Sequence, residues 1–256
     1  MKVVILAGGL GTRLSEHTSL IPKPMVEIGG KPILWHIMHL YASHGFNEFI
    51  VALGYRGEVV KHYFANYKNI HSDFTVDLRK GDISFTGDGH DNDWAVTLID
   101  TGQNVMTGGR VKRLEQYLRD APFMLTYGDG VSDVDINALL QQHQKSDALG
   151  TISAVHPKAH YGELDLDGNQ VIQFMEKPEF RRSWINGGFM VLEPEILDLI
   201  PGDDSIFEKD VLEALSRQGL LEAYQHAGFW QCMDTLRDVK ILNELWNSGN
   251  RPWIRR

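Results

Sequence analysis

The stretch Lys2 to Ala7 is almost wholly apolar and stops abruptly at Gly8 and Gly9. A short apolar run of this kind reads as a strand buried on both faces, which requires helices above and below it. Pro32 to His44 follows with apolar residues at Ile33, Leu34, Ile37, Leu40 and Tyr41. That is helical spacing, opened by proline in the first turn and stopped by Gly45. Glu48 to Leu53 again reads as a strand, so the chain begins β-loop-α-β.

The same alternation continues. Val111 to Leu118, Asp135 to His143 and Asp238 to Trp246 are helical in pattern. Phe123 to Tyr127, Thr151 to Val155 and Gly187 to Leu192 are strand-like. The expectation is an α/β fold, a Rossmann-like, mostly parallel mixed sheet flanked by helices. Two stretches depart from it as antiparallel β-ribbon excursions. Between Tyr67 and Ile99, Phe74/Val76/Leu78 and Trp94/Val96/Leu98 alternate with polar residues. From Tyr161 to Phe174 a second alternating hairpin turns at Asp167-Gly168-Asn169. No linker or repeat divides the chain, so a single domain over 1–256 is expected, with a β-ribbon insertion at about 67–99. Its exposed strands would be an aggregation liability if unpaired. A homo-oligomer, trimer or hexamer, is therefore expected.

Composition narrows the function. With 25 Lys+Arg against 34 Asp+Glu the net charge is −9, which argues against nucleic acid as a partner. One cysteine, Cys232, forms no internal disulfide. The N-terminus lacks a basic leader and no apolar stretch reaches the ~20 residues of a membrane span. A cytoplasmic protein with no membrane partner is expected.

The chemistry-bearing motif is Leu6-Ala7-Gly8-Gly9-Leu10-Gly11-Thr12-Arg13-Leu14, directly after the first strand. Glycines there let main-chain N–H groups approach an anion without obstruction from Cβ, and Arg13 offers a charged fork to phosphate oxygens. A plain strand-to-helix turn needs fewer glycines. A dinucleotide fingerprint fails because Leu14 stands where the third glycine belongs, and a P-loop fails because no Gly-Lys-Ser/Thr follows.

Further blocks follow in order: Pro22-Lys23-Pro24-Met25, Gly30-Lys31-Pro32, Tyr127-Gly128-Asp129-Gly130, Glu176-Lys177-Pro178, Asn186-Gly187-Gly188 and Trp230-x-x-Met233-Asp234-Thr235. Together with the glycine loop they resemble the sugar-nucleotide pyrophosphorylases, which are nucleoside-triphosphate:sugar-1-phosphate nucleotidyltransferases. The stretches GGLGTRLSE, KPILWHIM, YFANY, MTGGR, YGDGV, INGGF and MDTLRD are most similar to the branch that makes CDP-glucose. The resemblance implies CTP and α-D-glucose 1-phosphate as substrates, in the supply of deoxysugar and O-antigen (lipopolysaccharide) precursors.

It also implies roles. Arg13 and Lys23 would clamp the triphosphate in a transfer that depends on positioning and charge neutralisation. Lys177 would hold the sugar phosphate, Glu176 and Asn186 would meet the sugar hydroxyls, and Gly128 and Gly187 would also contact substrate. Asp129 follows an apolar strand and so sits at its carboxyl end, where open α/β sheets bind ligands. Asp234 lies far off among apolar neighbours, and the two carboxylates suit Mg²⁺. Without the resemblance each can be read as a turn-capping aspartate, and for Asp129, followed by Gly130, that reading is favoured. Val105, Thr107, Gly108 and Arg110 form the candidate cytosine reader, since cytosine needs both a donor and an acceptor from its pocket. The bland alternative is a helix N-terminus capped by Thr107, with Arg110 exposed.

His36 and His39 lie i, i+3 but lack a third ligand, and Mg²⁺ does not seek imidazole. Cys232 reads as a packing residue. Trp94, Tyr63 and Phe64 read as core or subunit contact. Three rival functions stay open: the same chemistry with UTP, dTTP or another hexose 1-phosphate, a non-catalytic nucleotide-sugar sensor, and an NAD(P)-dependent oxidoreductase. Paired carboxylates argue against the sensor, and the missing third glycine argues against the oxidoreductase.

Overall fold

The computed structural model describes residues 1–11, 21–86, 92–157, 162–176 and 183–254. Among the described residues the strands in chain order are β1 Val3–Leu6, β2 Glu27–Ile28, β3 Lys31–Pro32, β4 Glu48–Leu53, β5 Asp73–Asp77, β6 Asp82–Thr86, β7 Ala95–Asp100, β8 Phe123–Tyr127, β9 Gly130–Ser132, β10 Gly150–Val155, β11 Glu163–Asp167, β12 Gln170–Met175, β13 Ile185–Leu192, β14 Leu221–His226 and β15 Trp230–Cys232. Seven of them make the central sheet, in the order β14-β10-β13-β8-β1-β4-β7. All run in one direction except β13, which is antiparallel to both β8 and β10.

Alternation along each strand divides the core in two. Val3 and Ile5 of β1 join Phe49 and Val51 of β4 on one face, beneath the helix Ile33–Ala42 and Leu242 of the helix Leu236–Asn247. Val4 and Leu6 join Ile50 and Ala52 on the other, beneath Val111, Leu118, Phe207 and Leu215. Each such side chain fully withdrawn from water contributes about 1.5–3 kcal/mol, so a strand buried on both faces is strongly fixed in register.

β1 is flanked by β4 on one side and β8 on the other. The chain thus leaves β1 first in one direction and later in the other, and the glycine loop emerges where the strand order reverses. That crevice is the expected ligand position of an open α/β sheet.

The ribbon expected over 67–99 divides differently. β5 and β6 do form an antiparallel hairpin, but Val96 and Leu98 lie in β7, a parallel edge strand of the main sheet paired with β4. Their alternation reflects an edge strand with one covered side, which period two alone does not distinguish from a ribbon. Tyr67 to His71 is a helical turn. The second hairpin, β11 with β12, forms as expected, with Gly168 at φ +56 in its turn.

The set-aside histidine is a core residue. His36 Nε2 faces the Ile28 carbonyl at 2.9 Å, and Trp253 Nε1 donates to His36 Nδ1 at 3.2 Å. Trp253 is fully buried and stacks on Phe229 at 5.5 Å. Burial pulls the His36 pKa down from 6.5 to about 4. The neutral ring with its proton on Nε2 satisfies both contacts.

Candidate active site

Two carboxylates distant in sequence are brought together by main-chain pairing. Asp129 lies between β8 and β9, and β9 pairs antiparallel with β15, setting Gly130 opposite Cys232. Met233 N donates to the Asp129 carbonyl at 2.8 Å, extending that ladder to the residue before Asp234. Asp234 is then held by the start of the last helix. Thr235 and Asp238 form a capping box there, and the Asp238 carboxylate accepts from Thr235 N at 2.8 Å and Asp234 N at 3.1 Å. Gln231 Nε2 holds the other Asp238 oxygen at 3.0 Å.

Lys23 opens a short 3₁₀ turn, Lys23–Met25, between two prolines that leave its backbone little freedom. Its ammonium donates to Asp129 Oδ2 at 2.7 Å and to Asp234 Oδ1 at 2.5 Å. Burial alone would lower the Lys23 pKa. The Asp129 charge and the hydrogen bonds to both carboxylates outweigh it, and the net direction is upward. One ammonium thus neutralises much of a carboxylate pair that faces two cavities.

The first cavity, of about 660 Å³, is bounded by the Leu6–Gly11 loop, Lys23, Gly128, Asp129, Asp234 and the 103–107 segment. The second, of about 280 Å³, is bounded by Asn186, Gly187, Gly188 and Trp230. Tyr127, Asp129 and Asp234 line both. Trp230 Nε1 donates to the Gly187 carbonyl at 2.7 Å and fixes that wall.

Of the residues singled out in the sequence, Leu6, Ala7, Gly8, Gly9, Leu10, Gly11, Lys23, Val105, Thr107, Arg110, Gly128, Asp129 and Asp234 converge on the first cavity. Asn186 and Gly187 line the second. Thr12, Arg13 and Lys177 lie outside the described residues. Glu176 is exposed beyond β12 and lines neither cavity. Gly108 is packed away from both, its N–H donating to the Ser205 carbonyl at 2.8 Å.

Arg110, expected as a donor to a base, borders the first cavity but spends its guanidinium on the protein. Nη1 donates to the Leu53 and Gly102 carbonyls at 3.0 and 2.8 Å and to Thr101 Oγ1 at 2.8 Å. Nη2 donates to the Gly8 carbonyl at 2.9 Å and to Gln103 O at 3.3 Å. Only 4% exposed, Arg110 is a buried cation held by oxygen dipoles, and that burial lowers its pKa. It stitches the glycine loop to the ends of β4 and β7. The fit is close: a Cβ on Gly8 would stand 2.2 Å from Arg110 Nη1. The helix Thr107–Lys112 does begin at this segment, but its N-cap is Met106 and not Thr107, and its arginine is buried and not exposed.

Tyr127 and Trp230, both within motifs quoted for the resemblance, are walls that residue-level reasoning passed over. Cys232 Sγ lies within 4.8 Å of carboxylate oxygens of Asp129 and Asp234. Burial foremost, and then the Asp129 charge, pushes its thiol pKa up.

The donor set fits Mg²⁺. Two carboxylates from separate loops face a cavity large enough for phosphate oxygens and water, which is the sparse all-oxygen provision that Mg²⁺ takes. The thiol adds nothing for so hard a cation.

A family model described as nucleotidyl transferase matches residues 2–239. The chain is 50% identical over 254 residues to the glucose-1-phosphate cytidylyltransferase of Salmonella typhi, covering 99% of this chain and 98% of that one. It is 41% identical over 254 residues to the probable glucose-1-phosphate cytidylyltransferase of Bacillus subtilis, covering 99% of each. The structure is similar to that of HddC from Yersinia pseudotuberculosis, with a TM-score of 0.69 at 27% identity over 96% of this chain and 99% of that one. With its glycine loop, paired carboxylates and bridging lysine gathered at one sheet edge, the chain belongs to the nucleotidyl transferase family.

Proposed function

We propose that this chain transfers the cytidylyl group of CTP to α-D-glucose 1-phosphate, giving CDP-glucose and pyrophosphate. The choice of base and sugar rests on 50% identity to the Salmonella typhi enzyme across nearly the whole chain. The observation that carries the chemistry is Lys23 held between Asp129 and Asp234 where the two cavities meet.

The first cavity receives CTP, its triphosphate against the main-chain N–H groups of the Leu6–Gly11 loop and its base toward Val105 and Thr107. The second receives glucose 1-phosphate between Asn186, Gly187 and Trp230. A phosphate oxygen of the sugar attacks the α-phosphorus. The bond from that phosphorus to the bridging oxygen breaks, and pyrophosphate leaves with its electron pair. Asp129 and Asp234 would hold Mg²⁺, which neutralises triphosphate charge when bound. Lys23 turns its ammonium from the carboxylates to the phosphate oxygens, where charge builds as the α-phosphorus becomes five-coordinate. Arg13 and Lys177 complete the clamps by resemblance.

Among the described residues no helix is long and apolar enough to cross a membrane. We place the enzyme in the cytoplasm, with its nucleotide substrate, as a trimer or hexamer. The β5–β6 hairpin, where Phe74, Val76 and Ile83 are exposed, is the surface that a second copy would cover.

The test is pyrophosphate release from glucose 1-phosphate with CTP, UTP, dTTP, ATP and GTP in turn, Mg²⁺ present. Release with CTP is expected. Silence with all five ends the enzymatic reading, and activity confined to UTP ends only the choice of base.

A further inference from the structure

Glu208 lines neither cavity, yet it joins their walls. One carboxylate oxygen accepts from Thr107 Oγ1 at 2.9 Å and the other from the Tyr127 hydroxyl at 2.5 Å. Tyr127 lines both cavities, and Asn186 stands with it in the wall of the second. The chain of hydrogen bonds therefore runs Thr107, Glu208, Tyr127. It begins at the first cavity and ends on a wall shared with the second.

The backbone holds Glu208 in place. It is the first residue of a π-helical turn, Glu208–Leu212, a rare local geometry that concentrates at functional sites. Phe207 and Val211 on either side are fully buried. The segment before it clasps the 106–109 loop: Met106 N donates to Asp203 O at 2.9 Å, and Phe207 N donates to Thr107 Oγ1 at 2.9 Å. Burial, then the Glu208 charge, raises the Tyr127 pKa, so the phenol stays a donor. A carboxylate that receives two hydroxyls from different elements fixes the rotamers of both.

We propose that Glu208 is a positioning residue that couples the two substrate subsites, setting the Thr107 end of the base segment and the Tyr127–Asn186 wall against each other. This rests on the cytidylyl-transfer reading, with CTP in the first cavity and glucose 1-phosphate in the second. Truncation of Glu208 loosens both walls at once, whereas Thr107 borders the first cavity alone.

The experiment compares steady-state constants of Glu208→Ala, Glu208→Gln, Thr107→Val, Tyr127→Phe and the double variant Glu208→Ala/Tyr127→Phe. Loss of a charge-assisted contact corresponds to about a tenfold effect. Glu208→Ala should raise KM for both CTP and glucose 1-phosphate about tenfold with a much smaller change in kcat. Glu208→Gln, which keeps an acceptor and the planar shape, should recover most of the loss. Thr107→Val should raise KM mainly for CTP, and Tyr127→Phe, at a residue that lines both cavities, should raise KM for both substrates. The double variant should be no worse than Glu208→Ala on glucose 1-phosphate, because the two changes remove one contact. If wild type turns over and Glu208→Ala keeps both KM values, or lowers only the thermal transition, the coupling role is refuted. A double variant with additive losses refutes it as well. If wild type shows no turnover with CTP and glucose 1-phosphate, the parent reading fails instead.

Discussion

Lys23 and a divalent cation compete for the same two carboxylates, and the competition has a size. The ammonium contacts Asp129 and Asp234 at 2.7 and 2.5 Å, with the lysine side chain 12% exposed and the carboxylates 31% and 34% exposed. A hydrogen bond between charged groups is worth about 1.5–3 kcal/mol net, and a cation entering the site must break two. Because the carboxylates keep contact with water, the low end applies, about 3 kcal/mol in all. At 1.4 kcal/mol per decade this corresponds to about a hundredfold in affinity. Lys23→Met should therefore bind Mn²⁺ about a hundredfold more tightly than wild type without nucleotide, even though it loses transferase activity. The loss of the free-ion electron paramagnetic resonance signal on titration measures this directly. Asp129→Asn should abolish the gain. Lys112→Met, which removes a cation bonded elsewhere to the Leu197 carbonyl, should produce none. With CTP bound the difference should shrink, because phosphate oxygens then take the ammonium. Unchanged or weaker Mn²⁺ binding by Lys23→Met would refute the exchange.

Asp129→Asn and Asp234→Asn should each abolish turnover while leaving the thermal transition near wild type, since Lys23 retains one carboxylate in either case. If either variant keeps most of its activity, that residue does not hold the metal. Gly8→Ala drives a methyl into the Arg110 guanidinium, 2.2 Å from Nη1, and should lower kcat/KM by about a hundredfold, as an ångström-scale misplacement does. Wild-type kinetics in Gly8→Ala would show that the stitch does not position the loop. For His36, the native pKa of about 4 lies below the ordinary 6.5, so the folded state resists protonation. Its contribution is complete above about pH 6.5 and fades as pH falls toward 4, up to about 3 kcal/mol. Denaturant melts across that window should show a steeper decline for wild type than for His36→Gln, and equal slopes would contradict the assignment.

Much of the fold was legible because buried strands and glycine stops are local signals. The β1 run and the Glu48–Leu53 strand appear in the structure within a residue of their predicted ends. β7 was misplaced because an edge strand and a ribbon share period two, and only pairing with β4 separates them. At the site, Lys23, Asp129 and Asp234 could be named from motif blocks, but their direct contact depends on the β9–β15 pairing and on a capping box. Arg110 was visible as a charge, but not as a buried one, because its five acceptors come from three separated stretches of chain, at Gly8, Leu53 and 101–103. Glu208 carried no sequence signal at all. Its partners lie 101 and 81 residues away, and nothing in a stretch such as Glu208–Leu212 marks one acid among several.

The Trp253 indole bears on how the chain matures as it leaves the ribosome. It completes the hydrogen bonding of His36, 217 positions earlier, and stacks on Phe229. The helix Ile33–Ala42 can therefore pair with its sheet early in synthesis, but the polar nitrogen inside that core stays without its indole donor until residue 253 emerges. Nascent chains halted short of that point should be held in an open, chaperone-accessible form, and the last packing event should be the one that seals the oldest part of the fold.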